Sequence, residues 1–182
     1  MKKIVLAFIF AFFVVSLNAQ DELPTAKGNK LINIGTGMLG GSGGVNLTPV
    51  HIGFDYFIIN NLSLGFDANW IYYLSKDIVG NPHLFSGQAV IDYHFNELMN
   101  LPSAWDFYAG VKLGAGYMNT DKALEVNELA YKRGVKFVFN GRVGFRYYFN
   151  EKIGVNSEVG ILSVSGTKTS GVTFMLGIST KL

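Results

Sequence analysis

The chain has 182 residues, of which 15% are charged and 49% hydrophobic, with 22 glycines, a formal net charge of +2 and no cysteine. The lack of cysteine excludes a disulfide framework, a thiolate metal site and a cysteine nucleophile. A net charge this close to zero argues against nucleic-acid binding, which needs a basic face. The charged fraction is also low, since soluble domains average about a quarter charged residues.

The N-terminal residues have the three-part pattern of a secretory signal peptide. Lys2 and Lys3 precede an uncharged run over residues 4–15, and the small residue Ala19 follows. That run is too short to span a bilayer as a helix, which takes about 20 apolar residues. The pattern favours a cleaved signal over a retained amphipathic anchor. The predicted organisation is a signal peptide over 1–19, a short periplasmic segment over 20–29 and one domain over 30–182.

From residue 30 onward, apolar and polar residues alternate in eight segments that turn residues separate, which predicts eight β-strands. The predicted strands are 30–39, 48–59, 62–74, 83–95, 105–118, 135–149, 153–163 and 172–182. Segments of this length suit tilted membrane-spanning strands, which need about 9–11 residues, better than soluble strands of about 5–6. Without a long apolar helix, a membrane protein must be a closed barrel, because its backbone has to be satisfied in lipid.

The connections between the predicted strands alternate in length. One set consists of two tight turns, at residues 60–61 and 150–152, and a longer connection at residues 96–104. The other set is longer and consists of residues 40–47, 75–82, 119–134 and 164–171. Short turns on one side and longer loops on the other predict an up-and-down antiparallel barrel with both termini in the periplasm. Residues 121–132 fit either a helical turn or an extension of the hairpin.

The two faces of the predicted strands differ in composition. One face is uncharged and carries most of the large apolar side chains. The other holds most strand glycines and the charged residues Asp55, Asp67, Asp92, Lys112, Lys136, Arg142, Arg146, Glu158 and Lys181. An eight-stranded barrel is too narrow to enclose the apolar set, which disfavours a lipocalin-type barrel. Glycine is costly on a water-facing strand, which also disfavours a soluble sandwich, whereas inside a tapering barrel it makes room for large neighbours. We therefore predict that the apolar face contacts lipid.

These features resemble the small eight-stranded outer-membrane barrels, the group of outer membrane protein X and the transmembrane domain of outer membrane protein A. The resemblance includes the alternating C-terminal segment 172–182, which is similar to the signal read by the barrel assembly machinery. Leu182 departs from the aromatic residue with which that family usually ends. The resemblance implies a bacterial outer-membrane location, contact with outer-membrane lipid and lipopolysaccharide, and no nucleic-acid partner. We expect a monomer without a cofactor.

The inward charges are the candidate functional site. The lumen network is predicted to contain Asp55, Asp67, Asp92, Lys112, Arg142, Arg146 and Glu158. Uncompensated charges are too costly to bury, so they must pair. We predict a network centred on Arg142, with Glu158 and at least one of Asp55 or Asp67 as partners. Such a network would plug the lumen; the alternative is a gate that switches partners.

Three functions follow from this interpretation. The first is a structural or surface-interaction protein of the outer membrane, and the second is a narrow gated channel. The third is a lipid A-modifying enzyme, which would need histidine and serine together near the outer rim. His51, His83 and His94 show no such spacing to a serine, and His94 is at the wrong end of the barrel. A serine site could still assemble between strands, but nothing in the sequence requires one, so we predict no enzymatic activity. No metal-ligand spacing is present either.

Overall fold

The protein is a closed antiparallel barrel of eight strands, joined in chain order. The computed structural model describes residues 23–41, 44–73, 82–120, 133–166 and 170–182. The strands are β1 (Lys30–Gly41), β2 (Gly44–Ile59), β3 (Leu62–Tyr72), β4 (His83–His94), β5 (Trp105–Asn119), β6 (Gly134–Tyr148), β7 (Ile153–Val164) and β8 (Ser170–Lys181). β1 pairs with β8 and closes the sheet. The predicted fold is confirmed, and the strand boundaries agree with the prediction to within a few residues. In the described part of the chain no helix is long and apolar enough to span a membrane.

The barrel has a turn end and a loop end. The turn end holds the connections β2–β3, β4–β5 and β6–β7, and the loop end holds the other four. The loop predicted over 40–47 is wrong, because β1 and β2 continue until Gly41 pairs with Gly44. Backbone pairing needs no side chain, and Gly41 also pairs with Gly171 of β8, so this glycine-rich segment stays in the sheet. The signal peptide predicted over 1–19 and the alternatives for 121–132 lie outside the described residues.

Residues 23–29 lie against the turn end of the barrel. The amide of Gly28 donates to the carbonyl of Phe57 over 2.9 Å, and the amide of Phe57 donates to the carbonyl of Asn29 over 3.0 Å. Thr25 is buried, and its Oγ1 donates to Oδ1 of Asn61 over 2.8 Å. The segment that precedes β1 therefore covers part of the turn-end mouth.

Substitution of Asn61 by alanine is expected to lower the free energy of unfolding by about 2 kcal/mol. Asn61 has a φ of 61°, which an alanine adopts at a cost of about 1 kcal/mol or more. Alanine also removes the buried acceptor of Thr25, a loss of about 1 kcal/mol. Urea unfolding measures the change. Asn61→Gly, which keeps the backbone conformation, should restore about half of it; equal losses in both variants would contradict this division.

Burial alternates along each strand with a period of two. The burial of β7, for example, changes at almost every residue from Ile153 to Val164. Large apolar side chains point outward and are exposed, among them Phe66 at 56%, Phe137 at 56% and Ile161 at 63%. The uncharged apolar face thus points outward, as predicted, whereas the inner face carries both the buried charges and buried apolar side chains.

Candidate functional site: the charged lumen

Many of the inward side chains of the described residues fall into three clusters along the barrel axis. The turn-side cluster consists of Asp55, Ser63, His94, Asp106 and Arg146. The central cluster consists of His51, Asp67, Asp92, Lys112, Arg142 and Glu158. The loop-side cluster is apolar and consists of Leu39, Ile71, Tyr73, Leu84, Met118, Val138, Leu162 and Val164. All members of the three clusters are at least nine-tenths buried.

Arg142 binds two carboxylates in the central cluster. Its Nη2 lies 2.5 Å from Oδ2 of Asp92, and its Nε lies 3.1 Å from Oδ1 of the same residue. Its Nη1 lies 2.5 Å from Oε1 of Glu158. The planar guanidinium thus holds Asp92 with two parallel hydrogen bonds and Glu158 with a third, which is the strong, geometrically specific form of ion pair.

Lys112 extends the central cluster across the lumen. Its Nζ lies 2.8 Å from Oδ2 of Asp67 and 3.4 Å from Oε2 of Glu158. His51 hydrogen-bonds through Nε2 to the same Asp67 oxygen. Asp67 therefore joins the network of Arg142 indirectly, through Lys112 and Glu158.

The turn-side cluster is organised around a second arginine. Arg146 donates through Nη1 to Asp106 and through Nη2 to Asp55, both over 2.9 Å. The guanidinium carbon of Arg146 lies 4.3 Å from the centre of the Tyr108 ring, and the Tyr108 hydroxyl donates to Glu158 over 3.0 Å. Tyr108 therefore connects the turn-side cluster to the central cluster.

Ser63, His94 and Asp106 form a hydrogen-bonded relay within the turn-side cluster. Nδ1 of His94 lies 2.7 Å from Oδ1 of Asp106, and Nε2 of His94 lies 3.1 Å from Oγ of Ser63. This is the connectivity of a Ser-His-Asp triad. All three residues are 0% exposed, and the Phe57 ring lies 4.7 Å from the imidazole of His94. Ser63 is therefore closed to solvent in this arrangement.

The buried charges of the described residues are unequal in number. Five carboxylates are buried with only three lysine and arginine side chains. Each of the two buried histidines, His51 and His94, contacts one of the carboxylates. No group of three or more potential metal ligands occurs among the described residues.

Glycine allows charged side chains two strands apart to meet. Asp92 on β4 pairs in register with Gly110 on β5, and Gly110 pairs with Arg142 on β6. The three residues stand in one row on the inner face, with no side chain in the middle. A Cβ atom on Gly110 would collide with the Asp92 carboxylate. The contact between Asp92 and Arg142 therefore depends on this glycine.

A small cavity lies between the central cluster and the loop-side cluster. Its volume is about 20 Å³, which is room for one water molecule, and its lining includes Lys112 and Ile71. Three lining atoms have no hydrogen-bond partner among the described residues: Oγ of Ser86, Nε2 of Gln88 and Oδ1 of Asn140. The cavity is thus polar on one side, but it is far smaller than the path a solute would need.

The structure brings the predicted network residues into the lumen but pairs them differently. The predicted contact of Arg142 with Glu158 is present. The predicted direct contact of Arg142 with Asp55 or Asp67 is wrong, because Asp92 takes that position. The other two carboxylates bind separate cations, Asp55 with Arg146 and Asp67 with Lys112. A prediction based on neighbouring strands does not find the contact between Asp92 and Arg142, because β5 lies between their strands. Gly110 on β5 leaves the space in which the two side chains meet.

Several members of the clusters were not predicted. Asp106 and Tyr108 lie an even number of residues from Lys112 on the same strand, so they belong to the inward face of β5. The sequence indicates His51 and His94 only as possible enzyme residues, whereas the structure places them beside Asp67 and Asp106. Strand parity could have identified the inward direction of all four, but not their partners.

Comparison with known proteins supports the architecture. No family model matches the chain, and no curated protein matches it. Among solved structures, the outer membrane protein OprG from Pseudomonas aeruginosa is similar at 13% identity and a TM-score of 0.63, covering 88% of this chain and 99% of that one. The fold is that of the small outer-membrane β-barrels.

Two further structures extend this likeness. Neisserial surface protein A is similar at 15% identity and a TM-score of 0.59, covering 85% of this chain and 95% of that one. Ail, the attachment invasion locus protein of Yersinia pestis, in complex with the heparin analogue sucrose octasulfate, is similar at 14% identity and a TM-score of 0.55, covering 86% and 99%. The predicted resemblance to eight-stranded outer-membrane barrels is confirmed at the level of fold.

Proposed function

We propose that the protein is an integral outer-membrane barrel with a closed lumen and a structural or surface-interaction role. The observation that carries the proposal is the burial of ten acidic, basic and histidine side chains among the described residues, none more than 6% exposed. Paired and hydrogen-bonded charges of this kind fill a narrow barrel rather than line a water-filled pore. The apolar loop-side cluster adds a second barrier.

The outer surface supports insertion into a membrane. Exposed large apolar side chains cover the strands, as at Phe85 with 52% and Ile178 with 58% exposure. In water such a surface would aggregate, whereas lipid solvates it. Placing the short turns in the periplasm puts residues 23–29 and the end of β8 there as well. The proposed partners are outer-membrane lipid, lipopolysaccharide and, during insertion, the barrel assembly machinery. The proposed state is a monomer.

Surface interaction would be carried by the loop end. Neisserial surface protein A and Ail are named for surface location and attachment, and Ail has been crystallised with a heparin analogue. Those names support a surface role here by analogy of fold. A lipid A-modifying activity has less support, because Ser63 and His94 are fully buried at the turn end. Lipid A from a deletion strain should therefore keep its acylation pattern.

Conductance in planar bilayers tests the closed lumen. The wild-type protein is expected to give no conductance steps, because both the charged clusters and the loop-side cluster obstruct the lumen. Arg142→Ala should also give no conductance steps, since the apolar loop-side cluster remains. Lys112→Met is expected to give no steps for the same reason. Folding and insertion are checked first by heat-modifiable gel mobility. Steps from the wild type would contradict the closed lumen, and steps only from Arg142→Ala would favour a gated channel.

A further inference from the structure

An aromatic and cationic patch lies on the outside of the barrel at the loop end of β3, β4 and β5. We call it the rim cluster; its members are Trp70, Tyr72, His83, Phe85, Tyr117 and Arg133. Phe85 and Tyr117 pair in register and are 52% and 42% exposed. These side chains belong to none of the clusters in the lumen. Closure of the lumen therefore does not account for their arrangement.

His83 is held among the rings of its neighbours. The indole Nε1 of Trp70 donates to Nδ1 of His83 over 3.2 Å. The ring centre of His83 lies 5.9 Å from that of Trp70 and 4.9 Å from that of Tyr72. Because Nδ1 accepts a hydrogen bond, a neutral His83 carries its hydrogen on Nε2. The ring therefore presents a donor on the side away from Trp70.

Arg133 places a permanent positive charge beside the same patch. Its Nε donates to the Tyr117 hydroxyl over 2.8 Å, and its guanidinium carbon lies 5.9 Å from the centre of that ring. Arg133 precedes β6 and His83 begins β4, so one strand, β5, separates them. Two strand spacings correspond to about 10 Å across the sheet.

The opposite side of the loop end lacks this chemistry. Among the described residues, the outward side chains there include Met38 on β1, Ile161 on β7, and Val172 and Phe174 on β8, which are exposed and uncharged and include one aromatic ring. Aromatic residues belong at the level where acyl chains meet headgroups, and cations at that level attract anionic headgroups. The rim cluster combines both features on one side of the barrel.

We propose that the rim cluster binds a phosphorylated glycolipid headgroup of the outer leaflet. The rings of Trp70 and Phe85 pack against the first part of the acyl chains, while Nε2 of His83 and the guanidinium of Arg133 hydrogen-bond phosphate oxygens. Charge-assisted bonds of this kind are stronger than neutral ones. The inference rests on the proposed membrane insertion with the loop end outward.

The two tryptophans of the chain allow a site-resolved test, since Trp70 lies in the rim cluster and Trp105 begins β5 at the turn end. Trp105→Phe leaves Trp70 as the sole reporter, and Trp70→Phe leaves Trp105. Each protein is inserted into phosphatidylcholine vesicles that contain increasing fractions of bisphosphorylated lipid A. Emission from Trp70 is expected to change with saturation, and emission from Trp105 to stay constant.

Charge variants in the Trp105→Phe background test the phosphate contacts. Arg133→Gln combined with His83→Gln should raise the midpoint of the lipid A titration at least about tenfold. Lys152→Gln removes an exposed cation at the turn end and serves as the matched control, with no change of midpoint expected. Comparing midpoints rather than amplitudes avoids the direct effect of His83 on Trp70 emission.

Several outcomes would overturn the inference. They are an equal midpoint with dephosphorylated lipid A, an unchanged midpoint in the double variant, or an equal response of Trp105. A protein that fails to float with vesicles or to show heat-modifiable mobility would instead contradict the proposed membrane insertion. Normal insertion without a Trp70 response rejects the headgroup site alone.

Discussion

Replacing Arg142 with methionine is expected to lower the free energy of unfolding by about 3–5 kcal/mol. Among the lysine and arginine ion pairs of the central cluster, the two closest are those of Arg142, to Asp92 and Glu158. Methionine fills a similar volume but leaves both carboxylates buried without that partner. Glu158 retains Lys112 at 3.4 Å and the Tyr108 hydroxyl, so most of the loss should come from Asp92.

Urea unfolding in lipid vesicles, followed by tryptophan fluorescence, measures this loss. Arg142→Lys keeps the charge but cannot form the two parallel bonds to Asp92, so its loss should be smaller. The triple variant Arg142→Met, Asp92→Leu, Glu158→Leu removes the charges together and should recover much of the stability. A loss below about 1 kcal/mol for Arg142→Met would show that the pair contributes little, as exposed pairs do.

Alanine at Gly144 is expected to cost about 3 kcal/mol, at the upper end of the range for overpacking a core. A Cβ there would lie 2.5 Å from Cζ and 2.6 Å from the hydroxyl of Tyr108, and 2.9 Å from the backbone oxygen of Ser157. Gly144 stands in register between Tyr108 and Glu158, whose hydrogen bond crosses it. Tyr108 would therefore have to move away from both Glu158 and Arg146.

Gly141 on the same strand provides the matched control. It faces outward, and the nearest atom to a Cβ there is Cζ of Phe139 at 3.8 Å, an ordinary contact. Gly141→Ala is expected to leave stability unchanged or to raise it by about 0.4–1 kcal/mol, through the entropy of the unfolded chain. Urea unfolding of both variants gives the comparison. Equal losses at the two positions would mean that glycine serves strand conformation rather than interior space.

The fold was predictable because each strand repeats the same signal. Alternation over eight segments predicts the number of strands and the direction of each face. The error at residues 40–47 arose where glycines carry no side-chain pattern, although their backbone pairs with both neighbours. Composition alone does not distinguish a glycine-rich loop from a glycine-rich strand end.

The pairing in the lumen was less predictable than its membership. Arg142 and Glu158 lie on adjacent strands, and their contact follows from that adjacency. Asp55 reaches Arg146 from the other side of the barrel, which depends on the stagger and tilt of the strands. The alternation along a strand indicates which way a side chain points. Predicting its contacts across the lumen requires the closed three-dimensional structure.

The row of Asp92, Gly110 and Arg142 has a consequence for how this chain tolerates change. A Cβ at Gly110 would collide with the Asp92 carboxylate and with the backbone oxygen of Ile91, so only part of its effect comes from the lost contact with Arg142. In a double-mutant cycle, Gly110→Ala and Asp92→Leu should therefore be non-additive. The three positions are therefore epistatic. The effect on stability of a substitution at one of them depends on which residues stand at the other two.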